Sequence, residues 1–163
     1  IENLLQSRTL STSKRVSREV ISRLKTLNLD EIVLLVQSSA HEQGYILWVA
    51  VCRRYHFIAD FAIEVLRERY LSLKYDLKYE DFDSFFNRKS DWHPELDEIR
   101  PLTRKKLRQV LFKMLREADL LTVDHTIHAV ILSSRLRLAL SRGDRKDLLV
   151  FPNLESELGG LTP

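Results

Sequence analysis

Apolar residues recur every three or four positions along most of the chain, the spacing of amphipathic helices. Residues 12–27 have this period, and Ser11 or Ser13 is a candidate N-cap for the helix. Asp30 is the candidate cap of a short second helix. Residues 41–73 predict either one bent helix or two successive helices. The first half of that segment is apolar nearly all round, which places it at the centre of the fold.

The second half of the chain has fewer clear periods but distinct boundary signals. Pro94 suits the first turn of a short helix, and Thr103 is the candidate cap of a helix over residues 103–118. Ser133 or Ser134 starts a further helix that ends near Gly143. Gly and Pro number only four each, too few for the frequent turns of a sandwich or barrel. The pattern therefore predicts a mainly α protein, a helical bundle.

Two architectures fit this pattern. One is a compact bundle with residues 45–66 at its centre. The other combines a helical N-terminal half with a C-terminal half of winged-helix character. In that version residues 103–118 form the recognition helix, "LLTVDHTIHAVIL" begins a small β-wing, and "DLLVF" completes its sheet. The predicted divisions of the chain are an N-terminal helical subdomain, a C-terminal helical subdomain and a mobile tail, over residues 1–76, 77–152 and 153–163.

Charge is distributed unevenly along the chain. The net charge is +3, yet residues 100–116 hold seven Lys or Arg and no acid, so the remainder is net −4 (3 − 7). On a helical wheel of residues 103–118, one arc is apolar and is expected to face the core: Leu107, Val110, Leu111, Met114, Leu115 and Ala118. The opposite arc is expected to be exposed, and it holds Lys105, Lys106, Arg108, Gln109, Lys113 and Arg116, with Phe112 among them.

A second positive stripe lies near the N-terminus. Residues 1–27 contain six basic and two acidic side chains. Lys14, Arg18 and Lys25 share a narrow arc of the first predicted helix, flanked by Arg8 and Arg15.

Two interpretations of these basic stripes are possible. Basic helix faces are commonly solvated surfaces whose alkyl stems shield apolar neighbours. Solvated faces, however, usually mix both signs of charge, and an aromatic among cations can stack on a base. Two basic helices on a nearly neutral protein therefore favour a polyanionic ligand. The predicted nucleic-acid-binding residues are Arg8, Lys14, Arg15, Arg18, Lys25, Arg104, Lys105, Lys106, Arg108, Phe112, Lys113 and Arg116.

The sequence offers little for catalysis. The four glycines, at 44, 143, 159 and 160, form neither a phosphate-binding loop nor a dinucleotide turn. His125 and His128 have the spacing of two metal ligands on one helix face, but no third ligand is near in sequence. Cys52 follows an apolar run and is expected to be a small core residue. The seven acidic residues within 77–99 have no defined catalytic geometry; they form either a solvated face or a docking surface for a basic partner. We predict a non-enzyme without cofactor or metal.

The longest apolar run is Tyr45–Cys52, far short of the roughly 20 residues that span a bilayer, so no membrane association is predicted. The single Cys52 excludes an internal disulfide framework, and the expected location is the reducing cytoplasm. Because the chain begins at Ile1 rather than Met, we expect that its natural N-terminus has been trimmed.

Four segments, in order, resemble the BrxA family of BREX bacteriophage-exclusion systems. They are "ENLLQSRTLSTSKRVSREVISRLKTL", "LWVAVCRRYHFIADFAIEVLRE", "YEDFDSFFNRKSDWHPEL" and "TRKKLRQVLFKMLREADLL". The resemblance spans Glu2 to Pro152 and contains no catalytic motif. It also indicates that the family's opening segment is missing from this chain.

The resemblance implies a helical protein whose fold is compared with the RNA-binding antitermination factor NusB. It implies a nucleic-acid-binding role in phage defence, with the system's methyltransferase, ATPases and phosphatase-like subunit as partners. The family provides no established binding residues, so the candidate residues above rest on the wheel alone.

The leading hypothesis is a non-catalytic component that binds double-stranded DNA through its phosphates, with little sequence specificity. The alternatives are RNA binding and a protein–protein scaffold. The sequence leaves the oligomeric state open.

Overall fold

The computed structural model describes residues 10–153 and is mainly helical, as the apolar period predicts. Within this range a π-helical segment, Ala62–Arg67, joins two α-helices, and a 3-10 segment, Arg145–Val150, follows the last one. The nine α-helices among residues 10–153 are α1 Leu10–Leu24, α2 Leu29–Gln37, α3 Ala40–Arg54, α4 His56–Phe61, α5 Glu68–Leu71, α6 Tyr79–Ser90, α7 Pro94–Asp97, α8 Pro101–Glu117 and α9 Ser134–Ser141.

Helix α3 is the centre of the hydrophobic core, as predicted for the apolar run. Ile46, Val49 and Ala50 are fully buried, and the Trp48 indole Nε1 donates a hydrogen bond to the Val150 carbonyl at 3.0 Å. This bond ties the 3-10 segment near the end of the described chain to the central helix. No helix among the described residues has the length and apolar character needed to cross a membrane.

Residues 41–73 form successive helices rather than one bent helix. The chain is extended at Tyr55 (φ −126°, ψ 96°), which separates α3 from α4. After the break, α4 continues through the π-helical segment into α5. Phe57 and Phe61 of α4 pack edge-on against Phe85 of α6, with ring centroids 5.1 and 5.3 Å apart. These aromatic contacts join the two halves of the chain in one hydrophobic core.

The observed helix starts correct three of the predictions. Helix α1 begins at Leu10, so neither Ser11 nor Ser13 is its N-cap. Asn28, not Asp30, caps α2: its side chain accepts from the Glu31 amide while the Glu31 carboxylate accepts from the Asn28 amide, a capping box. Helix α8 begins at Pro101, two residues before Thr103. The prediction for α9 is confirmed, because the Ser133 side chain accepts from a first-turn amide.

The β-wing is not formed. Residues 121–127 make a turn with two isolated antiparallel bridges, Asp76 to Thr126 and Leu121 to Ile127. The "DLLVF" segment, expected to complete a sheet, lies largely in the 3-10 helix Arg145–Val150. Between residues 10 and 153 no β-strand is present. Of the predicted tail, Asn153 is buried, and residues 154–163 lie outside the described residues.

Candidate nucleic-acid interface

Helix α8 carries the longest basic stretch, and its buried face differs from the predicted one. Leu111, Phe112 and Leu115 face the core, whereas Leu107 and Val110 are 42 % and 40 % exposed. The buried arc is therefore rotated away from Leu107 and Val110 and towards Phe112. The sequence contained a sign of this rotation. With Phe112 included, the apolar residues of α8 span a wider arc than the stripe that a helix normally buries against a core, so some of them must be exposed.

Phe112 is a core residue, so its predicted place among the exposed cations is wrong. Its side chain is fully buried and packs edge-on against Tyr79 and His125, with ring centroids 4.8 and 5.1 Å away. The ring is closed off from any ligand at the surface. Stacking of Phe112 on a base is incompatible with this packing.

Arg104 and Arg108 lie on the same side of α8 as Phe112 and contact α6. Arg104 donates to the Asp83 carbonyl at 2.8 Å and lies 3.4 Å from its carboxylate. Arg108 forms an ion pair with the same carboxylate. The two guanidinium groups also lie over the Phe86 and Tyr79 rings, at 4.4 and 4.6 Å from the ring centroids. These two predicted phosphate ligands therefore hold helices together.

The remaining predicted cations of α8 face outwards. Lys105, Lys106 and Lys113 are exposed and Arg116 is half-buried. Lys113 lies 3.6 Å from Glu117, and both side chains are about two-thirds exposed, so the pair contributes little. Within the described part of the chain, Lys105, Lys106 and Arg116 have no carboxylate partner. The basic stretch thus divides into two structural arginines and four cations on the outer surface.

Helix α1 carries the second group. Lys14, Arg15, Arg18 and Lys25 are all exposed, and none has an ion pair to another residue in 10–153. The helix packs on α3, and the Thr26 hydroxyl that follows it lies 3.4 Å from the Ala50 carbonyl. Because α1 is amphipathic, this packing turns its cations to solvent. Arg8, the other candidate here, lies outside the described residues.

A groove brings the two basic helices to one side of the molecule. We call it the α1–α8 groove: α1 and α8 form its walls and α3 its floor. Its volume is about 260 Å³, and it is lined by Val20, Arg23, Leu24, Gly44, Leu47, Trp48, Val51, Met114, Glu117 and Ala118. The sequence predicted two positive helices but gave no sign that they border one depression.

The acidic residues of segment 77–99 have separate roles. Asp81 binds the Arg69 guanidinium at 2.9 Å. Asp76, just before the segment, binds the same guanidinium at 2.7 Å, and this hydrogen bond lowers the pKa of the Asp76 carboxyl. Asp83 holds α8, as described above. The others are exposed: Glu80, Asp91, Glu95, Asp97 and Glu98.

The two histidines with metal-ligand spacing do not converge. His125 packs against Tyr79 and Phe112, whereas the His128 Nδ1 lies 3.0 Å from the Asp119 carboxylate. Asp119 also lies 3.3 Å from the His41 Nδ1. Between residues 10 and 153, no group of three such side chains has the geometry of a metal site.

Cys52 is a core residue, as its apolar neighbours in sequence predict. It is buried in α3, and burial, with a contribution from Asp147, raises the pKa of its thiol well above the ordinary value. A thiol in this state is a poor nucleophile.

Two comparisons relate the chain to known proteins. A family model described as BrxA matches residues 1–144. The BREX protein BrxA of Escherichia coli O9:H4 (strain HS) is 27 % identical over 149 residues, which covers 90 % of this chain and 70 % of that protein.

Proposed function

The chain belongs to the BrxA family, and from this premise we propose that it is a component of a BREX phage-defence system. The name of its E. coli relative, a BREX protein, supports this assignment. Within the system the chain associates with other BREX proteins. Its own role is to bind double-stranded DNA without catalysing a reaction, since the sequence contains neither a nucleotide-binding glycine loop nor a nucleophile–base pair.

One observation carries the DNA-binding proposal: the two helices that border the groove, α1 and α8, both carry exposed cations on their outer surfaces. Lys14, Arg18 and Lys25 on α1, and Lys105 and Lys106 on α8, have no carboxylate partner among the described residues. A purely solvated face would pair such cations with acids at the next helical turn. Exposed cations without counter-charges instead match a phosphate backbone.

The spacing along α8 suits several phosphates at once. Lys106 and Lys113 are seven residues apart, which corresponds to about 10 Å along a helix axis. Phosphates of one DNA strand follow each other at about 3.4 Å along the duplex, so the two ammonium groups reach different phosphates. Such contacts position a protein on DNA but carry no sequence information, and binding therefore has little sequence preference.

The test is a fluorescence-anisotropy titration of a short DNA duplex across a salt series. The α8 variant replaces Lys105, Lys106 and Lys113 by Glu, leaving Arg104 and Arg108 in place because they bind Asp83. Each phosphate contact adds about 0.9 to the slope of log affinity against log salt. If all three lysines bind phosphate, the variant's slope is smaller in magnitude by about 2.7.

A matched control separates the local surface from overall charge. Lys74, Arg145 and Lys146 are also exposed and belong to neither α1 nor α8. Replacing these three by Glu changes the net charge equally, and this variant keeps most of the affinity. Equal losses in both variants would contradict the assignment to α8.

RNA of matched length is the competing ligand, because the family's comparison with NusB implies RNA binding. Preferential binding of the RNA would transfer the same surface to RNA. If neither nucleic acid binds at low salt, the basic helices are protein-docking or solvated faces.

A further inference from the structure

Helix α2 is apolar nearly all round. Six of its nine residues are Leu, Ile or Val, a composition typical of a helix that is buried on every side. Glu31 and Leu34 are buried, as this composition predicts. The opposite face is not buried: Leu29, Val33 and Val36 are 77 %, 44 % and 77 % exposed. A helix face with the composition of a buried one is therefore open to solvent.

The three exposed residues of α2 form one stripe, and a neighbouring helix extends it. Leu29, Val33 and Val36 follow each other by four and three positions, so they fall within about 60° on a helical wheel. Helix α9 packs beside α2, and its Leu138 is 55 % exposed. Single exposed apolar residues are ordinary, but a group of them on two adjacent helices marks an interaction surface.

Two polar contacts fix the direction of α9 relative to α2. Arg142, at the end of α9, lies 3.9 Å from Asp30 near the start of α2. Arg135, at the start of α9, donates a hydrogen bond to the Gln37 side-chain oxygen at the end of α2. The two helices are therefore antiparallel neighbours.

Leu138 and Val33 occupy the middle of this helix pair. Leu138 follows Arg135 by three residues and precedes Arg142 by four. Val33 has the same spacing between the two residues of α2 that these arginines contact. The two apolar side chains are therefore level with each other along the pair. We call the exposed apolar surface of the two helices the α2–α9 strip; it consists of Leu29, Val33, Val36 and Leu138.

The α9 side of the strip is basic. Residues 133–146 contain five Lys or Arg and one acid. Gln37 is uncharged, so it leaves the charge of Arg135 uncompensated. Arg142 and Asp30 are both largely exposed, and an exposed pair of this kind contributes little, which leaves the Arg142 charge available to a partner. A surface that fits the strip therefore has an apolar face with acids beside it.

Neither DNA nor a lipid bilayer matches the strip. Duplex DNA presents phosphates at its surface, and these do not cover Leu and Val side chains. Helices that lie on anionic bilayers are rich in Lys and Arg on their polar face, whereas α2 contains Asp30 and Glu31 and no basic residue.

An amphipathic helix does match the strip. Such helices dock through apolar residues at positions i, i+3 or i+4, and i+7. Leu29 and Val36 are seven residues apart, which is about 10 Å or two helical turns. The strip is therefore long enough to meet two turns of a partner helix.

We propose that the α2–α9 strip binds an acidic amphipathic helix of another protein. The apolar face of that helix covers the strip, and its acids face Arg135 and Arg142 of α9. This binding goes beyond the proposed DNA binding, because neither α2 nor α9 carries a residue assigned to DNA. A titration with DNA and a titration with a helical peptide can therefore fail independently.

The probe is a fluorescein-labelled synthetic peptide of about 18 residues, above the roughly 12–15 below which isolated helices are marginal. It carries Leu at positions i, i+4 and i+7 on one face, Glu beside that face and Ala elsewhere. Two turns of helix bury less than the roughly 1,200–2,000 Å² of a standard interface, so the expected Kd is micromolar. Anisotropy with the full chain up to about 300 µM measures it, and added salt weakens binding because the charges are exposed.

Two control peptides separate the apolar face from the charge. One has the same composition with its leucines distributed all round the helix, and the other has Lys in place of every Glu. Each lacks one of the two features that the strip recognises. Both controls bind at least about tenfold more weakly than the probe.

Two variants test the two helices of the strip. Val33→Glu and Leu138→Glu each place an acid opposite the apolar face and the acids of the peptide. Both positions are exposed, so both variants fold, which circular dichroism verifies, and both weaken binding at least about tenfold. Val110→Glu on α8 is the matched control, because Val110 is exposed to nearly the same extent as Val33 but lies outside the strip; this variant binds like the wild type.

Three results with these reagents would overturn the proposal. The first is no binding of the probe by the wild type at about 300 µM. The second is wild-type affinity in either strip variant. The third is equal binding of the probe and a control peptide.

Two further measurements distinguish other occupants of the strip. Vesicles of phosphatidylcholine and phosphatidylserine that bind the wild type but not Val33→Glu would assign the strip to a lipid surface. A chain that ends at Asn153 lacks residues 154–163, which contain three leucines and two acids. If that chain binds the probe at least about tenfold more tightly than the full chain, these residues are the occupant and the proposal is overturned.

Discussion

Arg53 of α3 and Glu31 of α2 form a two-pronged ion pair in the protein interior, with N–O distances of 2.7 and 2.6 Å. The guanidinium also donates twice to Asp147, at 3.1 and 2.7 Å, and once to the Thr26 carbonyl at 2.8 Å. All five N–H donors of Arg53 are therefore used. The hydrogen bonds to Glu31 and Asp147 raise the pKa of the guanidinium despite its burial.

Replacing Arg53 by Met should destabilise the fold severely. Glu31 is 1 % exposed, and the change leaves it and Asp147 buried without a cation. Removing one partner of a buried pair typically costs about 3–5 kcal/mol. Urea unfolding followed by circular dichroism measures the loss.

The neighbouring Arg54 provides the control. It is exposed, and its one polar or ring contact among residues 10–153 is with the Tyr55 ring, at 5.3 Å from the centroid, so Arg54→Met should change the free energy of unfolding by no more than about 0.5 kcal/mol. If the two variants were equally stable, the buried ion pair would have no special role.

The helices could be predicted from sequence because their signals are local. The cap of α9 at Ser133 and the proline in the first turn of α7 need only neighbouring residues. The cap of α2 was also readable: Glu31 follows Asn28 by three positions, the spacing of a capping box. Residue type alone does not separate Asn28 from Asp30, because Asp and Asn cap helices about equally well.

The orientation of α8 could not be predicted in the same way. Arg104 and Arg108 turn inwards because Asp83 and the Phe86 ring meet them from α6, about two dozen residues earlier. Such partners are visible only in the folded chain. A helical wheel that treats every arginine as exposed therefore places Phe112 at the surface. It also places Leu107 and Val110 in the core, although both are exposed.

Phe112 should matter for stability and not for DNA binding. Its ring is fully buried, so Phe112→Ala should lower the free energy of unfolding by about 3–5 kcal/mol. Phe112→Leu keeps most of the buried volume and gives a folded protein for anisotropy measurements. Unchanged affinity of this variant is expected; a marked loss, with the fold intact, would return the ring to the ligand surface.

Tyr45 should make stability fall at alkaline pH. Burial, with a contribution from Asp119, raises the pKa of the Tyr45 hydroxyl from 10.0 to about 12. Between these values the unfolded chain loses this proton while the folded chain keeps it. Stability attributable to Tyr45 is therefore complete below pH 10 and lost as pH rises towards 12, by up to about 1.4 kcal/mol per pH unit.

Comparing the wild type with Tyr45→Phe isolates this effect. Urea unfolding at several pH values should show a smaller alkaline decline for Tyr45→Phe. Tyr75→Phe, at a half-exposed tyrosine, should follow the wild type. Identical alkaline slopes for Tyr45→Phe and the wild type would show that the hydroxyl ionises equally in both states.

Asp83 should have opposite effects on stability and on DNA binding. Its carboxylate holds Arg104 and Arg108, and hydrogen bonds to charged groups contribute about 1.5–3 kcal/mol, so Asp83→Asn should destabilise the fold by about 1–3 kcal/mol. The same change removes a negative charge beside the basic residues of α8.

If these residues bind phosphates, the affinity of Asp83→Asn for duplex DNA should rise, most clearly at low salt where charges are least screened. Asp97→Asn, at an exposed acid that pairs with no described residue, should change neither property appreciably. A folded Asp83→Asn variant with reduced affinity would instead indicate that the two arginines must stay bound to Asp83 of α6 for DNA to bind.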